Sequence, residues 1–299
     1  MHARHGPIDL IVAVRCEKVE DTRRCEAAAI EAFADVLETL VAELPALRRI
    51  PAVPPHRLRG SVARRMSAAV GPYAGYRVGA MAAVAGAVAD HVLAAMLAVG
   101  TLRCASVNNG GDVALHLAAG ESLRVGICAD PRSARPSARI LVPGGAGVGG
   151  VATSGWRGRS HSLGIADAVT AFAPSAAAAD AAATLIANAV DLPGVAEVRR
   201  VPAAELAPES ELGERLVTVD VAPLDAASRA RALAPGVSLA RQLIERRLVS
   251  GVRLELQGSV VVESAGPGLA NGSVDARGCA TRAAHGKAVA RGGRTGARI

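Results

Sequence analysis

Ile8, Leu10, Val12 and Val14 are apolar at every second position. That is the period of a strand with one buried face, so residues 8–15 are predicted as a strand. The period then lengthens. Ile30, Phe33, Leu37 and Val41 recur at helical spacing, which predicts a helix over residues 20–44. Residues 50–66, rich in proline and arginine, read as a loop leading into an apolar segment over 62–70, and Gly71, Pro72 and Tyr73 mark a turn. A second helix is predicted over about residues 81–99.

From residue 101 the pattern shortens. Apolar runs at 102–107, 113–117, 123–128, 140–142, Gly150–Ser154 and Ala168–Ala173 are separated by Gly, Asn, Asp and Pro clusters, the signature of an antiparallel sheet. Ser175 is placed to cap an Ala-rich helix reaching about Val190. A strand, helix and strand are then expected at Leu216–Val221, 237–249 and 252–263. Helices set among separate groups of hairpins, without strict β-α-β alternation, predict an α+β fold. The segments around the helices at 81–99 and 176–190 are each flanked by strands, an arrangement open to internal duplication although no residue pattern repeats.

Composition changes this picture in three ways. Hydrophobic residues make up 51% of the 299, but aromatic residues only 2%. The core must therefore be filled by aliphatic side chains, and Trp156, Tyr73 and Tyr76 are the main rings available to a flat ligand. The formal charge is +7, yet Arg277, Arg282, Lys287, Arg291, Arg294 and Arg298 face a single acid, Asp275, beyond residue 263. The expected organisation is a domain over 1–263 and a basic Gly/Ala-rich tail over 264–299 that is disordered and solvated, so nucleic acid is not an expected partner. The five cysteines, Cys16, Cys25, Cys104, Cys128 and Cys279, show neither a paired framework nor metal-ligand spacing. A reducing cytoplasm is expected. The N-terminal apolar run is interrupted by Asp9 and lacks an export signal's cleavage pattern. The apolar stretch at 80–100 carries Asp90 and His91 near its middle, so a buried helix, with no membrane partner, is expected.

Candidate chemistry lies at the turns and on one helix. Asn108, Asn109, Gly110, Gly111 and Asp112 sit between two predicted strands. They read either as a hairpin turn with positive φ or as a turn whose backbone amides and polar side chains approach a ligand. Gly145, Gly147 and Gly150 fit G-x-G-x-x-G, but a strand rather than a helix follows, which argues against dinucleotide binding. Thr153, Ser154, Gly155 and Trp156, followed by Arg157 and Arg159, combine hydroxyls, a ring and cations suited to phosphate, or form a solvated connection. Asp180 and Thr184 are four apart on one helix face with Ala183 beside them, half of a hard-cation site or merely a solvated helix start. Asn188 follows one turn later. His161, His116 and His91 each lack a partner fixed by spacing.

Taken in order, NNGGD, GVATSGW, AVTAFAPSA and ADAAAT resemble the ApbE-like superfamily's N-x-G-G-D turn, T-S-G loop, V-T-V strand and A-D-x-x-A-T helix. The resemblance is nearest to an uncharacterised, unexported branch, and it runs from about Pro7 to about Glu263. It implies a T-fold-like domain related to Mg²⁺-dependent FAD:protein FMN transferases. It further implies a metal held by the side chains of Asp180 and Thr184 with the carbonyls of Ala183 and Ala82, and a nucleotide against residues 108–112 and 153–156. The ligand expected is a phosphorylated small molecule, FAD or another flavin, and a homo-oligomer is expected. In the family's K-G-x-x-x-D helix the Lys position is Ala85 here, while Gly86 and Asp90 remain. Of its H-x-x-D-P-x-T-G loop only His161 and Asp167 have counterparts. Two readings therefore stand: Mg²⁺-dependent phosphoryl or nucleotidyl chemistry on a flavin or similar heterocycle, and non-catalytic flavin or metabolite binding.

Overall fold

Two strands open the chain, His2–His5 (β1) and Ile8–Cys16 (β2), paired antiparallel. The computed structural model describes residues 1–130 and 136–266, with the backbone of 288–292. Alternation in β2 buries Ile8, Leu10 and Val12 and leaves Ile11 exposed. The single helix expected over 20–44 is divided into α1 (Val19–Phe33) and α2 (Val36–Leu47). Asp35 leaves helical geometry at φ −111°, and the Ala34 N–H closes on the Glu31 carbonyl in a tighter turn. The offset lets Phe33, Val36, Leu40 and Leu47 all reach one core.

Helices α3 (Ser61–Val70) and α4 (Val84–Val99) lead to β3 (Leu102–Asn109) and β4 (Asp112–Leu117), and then to the hairpin β5 (Ser122–Ile127) and β6 (Ala138–Pro143). Next come β7 (Gly150–Ser154), β8 (Ala168–Ala173) and α5 (Ala176–Ala189). A small ribbon follows, made of β9 (Val198–Pro202), the short α6 (Ala203–Leu206) and β10 (Leu216–Val221). The last helix, α7, spans Ala226–Glu245 and runs through Pro235, eleven residues earlier than the expected start at 237. Its buried face, Leu233, Gly236, Leu239, Ala240 and Leu243, outweighs the N–H that proline lacks. The single strand expected over 252–263 is a hairpin, β11 (Gly251–Leu256) and β12 (Ser259–Ser264), turned by Gln257 and Gly258 at positive φ.

Eight strands form one antiparallel sheet in the order β1-β2-β3-β4-β7-β8-β11-β12. The duplication left open by the sequence is visible in this order. Two strands, a helical segment and two more strands make β1-β2-β3-β4, and the same plan makes β7-β8-β11-β12. The two halves meet at β4 and β7, where Val113 faces Val151 and Ala114 faces Gly150. Helices cover one face of the sheet over a large aliphatic core. On the other face the β5–β6 hairpin packs Leu123, Val125, Ile127, Ile140 and Val142 against Val113, Leu115, Val151 and Phe172. The tail expected from residue 264 lies mostly outside the described residues, but Ala288–Gly292 (β13) pairs antiparallel with β5.

Within the helical layer α4 and α5 cross at very short range. The segment Ala80–Val99 is long and apolar enough to cross a membrane by length and composition, and here α4 packs against α1, α5, β3 and β4. A β-carbon at Gly86 would lie 2.2 Å from the Ala176 carbonyl oxygen. Each helix also caps the other. The Asp90 carboxylate of α4 accepts from the Ala176 and Ala177 N–H groups, both at 2.9 Å. The Asp180 carboxylate of α5 accepts from the Gly86 N–H at 3.1 Å. These are first-turn donors without intrahelical partners. Ser175 completes the α5 cap by accepting from Ala178. Burial raises the Asp90 pKa above the usual carboxylate range, against the opposing pull of those two N–H groups.

The loop after β7 is pinned from below by Asp167. Its buried carboxylate accepts from Trp156 Nε1 at 3.1 Å, from Arg157 Nε at 2.7 Å and from the Gln257 N–H. The Arg157 guanidinium lies over the indole at 4.6 Å.

Two measurements test this framework. Gly86→Ala must push the helices apart and is expected to cost about 1–3 kcal/mol, read as a lower urea midpoint at unchanged slope. Asp167→Ala orphans three donors; a loss of about 2 kcal/mol is expected. Trp156 is the chain's single tryptophan, so its emission is expected to shift to the red in that variant.

Candidate functional site

A cleft of about 740 Å³ opens between the two halves of the chain. The first half supplies Ala82 from the turn before α4, Val84 and Ala85 from its start, and Asp112 from the head of β4. The second supplies Asp180, Thr184 and Asn188 from successive turns of α5. Helical spacing accounts for the latter three, since residues four apart share a face. Asp112 is 1% exposed and Asp180 7%, so both carboxylates lie at the floor.

The turn at residues 108–112 holds that floor in place. Gly110 and Gly111 adopt φ of +59° and +109°, and the Asn108 side-chain oxygen accepts from the Gly111 N–H at 2.7 Å. Both features belong to a tight turn that only glycine enters without strain. Asn109 Nδ2 donates to the Ala85 carbonyl at 3.1 Å, tying the end of β3 to the start of α4. The Asp112 carboxylate accepts from the Thr153 N–H at 3.3 Å across the junction of the halves. The hairpin-turn and ligand readings of this segment are thus divided by residue. Asn108, Asn109, Gly110 and Gly111 build the turn and its ties, while Asp112 alone of the five lines the cleft.

Thr153, Ser154, Gly155 and Trp156 do not line it. Thr153 exchanges a 2.8 Å hydrogen bond with Thr170, and Ser154 is buried. Trp156 faces a separate cleft of about 410 Å³ with Arg157, Thr218 and Asp220. Of the four residues implied as metal ligands, Asp180, Thr184 and Ala82 line the large cleft, whereas Ala183 is fully buried beneath it. Among the described residues no three His, Cys, Asp or Glu side chains gather as a metal cluster. The oxygen donors that do converge, two carboxylates and a hydroxyl, suit a hard cation that completes its shell with water and phosphate.

Several wall residues had no local signal in the sequence. Tyr76 and Arg77 come from the turn before α4, and Ser210, Glu211 and Arg215 from the loop before β10. Gln242 comes from α7. Arg77 is in the left-handed conformation, at φ 51° and ψ 42°. Only the Tyr-Arg pair beside Gly75 and Gly79 could have hinted at a shaped turn. His161 and Ser160 are on the wall as well. The other two histidines are engaged elsewhere: His116 bonds the Leu102 carbonyl at 3.0 Å, and His91 meets Ser61 at 3.2 Å. Tyr73 is buried, and its phenol is pushed up to about 12 by that burial.

The chain is 40% identical over 183 residues to a UPF0280 protein of Methanopyrus kandleri, covering 59% of this chain and 69% of that one. It is 42% identical over 136 residues to a UPF0280 protein of Methanosphaerula palustris, covering 45% and 54%. It thus spans about half the length of that second relative. Among solved structures, the ApbE protein of Thermotoga maritima aligns at TM-score 0.39 and 14% identity, over 84% of this chain and 77% of that one. The apo flavinyl transferase ApbE of Pseudomonas stutzeri aligns at 0.34 and 16%, over 85% and 75%. A family model described as AbpE bacteria matches residues 1–262, and the chain belongs to that family.

Proposed function

We propose that the cleft binds a phosphorylated heterocycle, a flavin nucleotide such as FAD foremost, together with a divalent cation of the Mg²⁺ type. The observation that carries this reading is that Asp112, Asp180 and Thr184 all line one cleft. Asp180 and Thr184 would hold the cation, with Asp112 beside them and the Ala82 segment closing one side. The cation, when bound, supplies charge neutralisation at phosphate oxygens and lowers the pKa of an attacking hydroxyl or water. The chain's own contribution is positional. The Gly86 N–H orients the Asp180 carboxylate, and Asn109 fixes the Ala85 carbonyl. The Asp112 carboxylate ties the two halves through Thr153. Ala82, Val84 and Leu185 give the cleft apolar surface against which a ring can lie, with Tyr76 at the mouth.

A second reading, binding without group transfer, is favoured by one observation. Ala85 lines the cleft at the position where the ApbE-like motif carries Lys, so no lysine stands there to stabilise charge developing on a leaving phosphate.

Titration with FAD in the presence and absence of MgCl₂ tests the binding reading. Wild-type affinity is expected to rise with Mg²⁺, and Asp180→Ala and Thr184→Val are each expected to weaken the Mg²⁺-dependent part by roughly tenfold or more. Thr184→Val keeps the side-chain shape, so it separates ligand loss from unfolding. Equal affinity in wild type and both variants would overturn the proposal. Chromatography of the same mixtures separates the two readings, because release of AMP or covalent flavin marks transfer and intact FAD marks binding alone.

A further inference from the structure

β12 is the last strand of the eight-stranded sheet, and no strand among the described residues covers its outer edge. We infer that this edge is a self-pairing surface, on which β12 of a second copy of the chain lies antiparallel and joins the two sheets into one.

Which backbone groups face outward follows from the hairpin. Gln257 and Gly258, both at positive φ, form a two-residue turn, so the flanking pair of Leu256 and Ser259 is hydrogen-bonded. Bonding toward β11 then recurs at Val261 and Glu263, and it continues to Ala265, whose N–H donates to the Ser250 carbonyl at 3.0 Å. The N–H and C=O groups of Val260 and Val262 are therefore directed at the open edge, where among the described residues no backbone group pairs with them. Sheet edges are commonly blunted by lysine, proline or a bulge. β12 has none of these: it reads Ser-Val-Val-Val-Glu-Ser and pairs one-to-one with β11 throughout.

Two further observations select a second copy as the occupant. The first is apolar surface. Val260 and Val262 are 45% and 42% exposed on one face of the strand. On the other face Val261 and the α7 residues Ala230, Ala234 and Val237 line a cleft of about 370 Å³. In an antiparallel pair centred on Val261, each Val260 stands opposite the other copy's Val262, so the exposed valines of both copies become cross-strand neighbours. Sliding the register two residues either way would set a valine against Gly258 or Ser264 instead. The second observation is charge. Ser259, Val261 and Glu263 share the α7 face, where Arg229 Nε donates to Ser259 Oγ at 2.9 Å and Arg241 bonds Glu263 at 2.8 Å. The same register sets each Glu263 opposite the second copy's Ser259. Every Glu263 then has its own Arg241 on one side and the second copy's Arg229 on the other, so the edge is complementary to itself. A two-fold axis through Val261 closes the pairing at a dimer.

The test is sedimentation of the full chain over a concentration series, in which a reversible dimer is expected. Val260→Lys, which sets a charge among the valines, and Val262→Pro, which removes an outward N–H at an edge position where proline is tolerated, are each expected to weaken it roughly tenfold or more. Val41→Lys, at an exposed position of α2, is expected to leave the dimer unchanged. Far-UV circular dichroism of native amplitude verifies that the variants fold, and Val260→Lys decides the matter should the proline variant not. Register is read with Val261→Cys. Residues 261 of the two copies form a non-hydrogen-bonded pair with α-carbons about 4.5 Å apart, within reach of a disulfide. Oxidation with glutathione disulfide is expected to link 261 to 261, identified by mass spectrometry of non-reduced peptides, and to link Val260→Cys far less. A monomer at every concentration would overturn the inference. So would a dimer of wild-type affinity in both edge variants, or one in which position 260 rather than 261 is linked.

Discussion

Where α4 crosses α5, the backbone at Gly86 lies against the Ala176 carbonyl with no space for a methyl group, and each helix donates its first-turn N–H groups to a carboxylate on the other. Neither half of this arrangement works without the other. The short approach places Asp90 and Asp180 within reach of the opposite helix start, and the two carboxylates satisfy donors that would otherwise be buried without partners. The same approach sets the cleft, because Asp180 and Thr184 project from the helix so positioned, and Ala82 and Ala85 flank the glycine.

This constraint explains the composition. The buried face of α5 is almost wholly alanine, from Ala176 through Ala187, and α4 meets it with Gly86, Ala87 and Ala89. Small side chains bring helix axes close and leave little volume for rings. An aromatic fraction of 2% is compatible with a layer packed by proximity rather than by bulk. Tyr73 and Phe172 are the largest fully buried side chains, and neither lies in α4 or α5.

Much of the fold was legible because it rests on local patterns. Strands β2, β7 and β8 and helix α5 stand where alternation, periodicity and the Ser175 cap placed them. The misreadings share a cause, the tertiary override of a local signal. Asp35 splits an apparently continuous helix, Pro235 fails to stop one, and Gln257 adopts a positive φ that nothing in the residue type announces. Of the candidate residues that line the cleft, those of α5 follow from helical spacing, which guarantees a shared face, whereas Asp112, Ala82 and His161 come from separate segments that no spacing rule joins to them. Asn109 and Asp112 looked alike in the turn and are direct partners across β3 and β4, yet one bonds the Ala85 carbonyl and the other lines the cleft, a division that no local spacing announces. Arg77 and Arg215, which line the same cleft from distant parts of the chain, could not be joined to it by any spacing rule.

The repeated plan of the sheet gives the cleft an unusual dependence. Its floor takes Asp112 from one repeat and Asp180 from the other. Neither repeat lines the cleft alone. The cleft is therefore a product of assembly, complete only where both repeats are joined along β4 and β7.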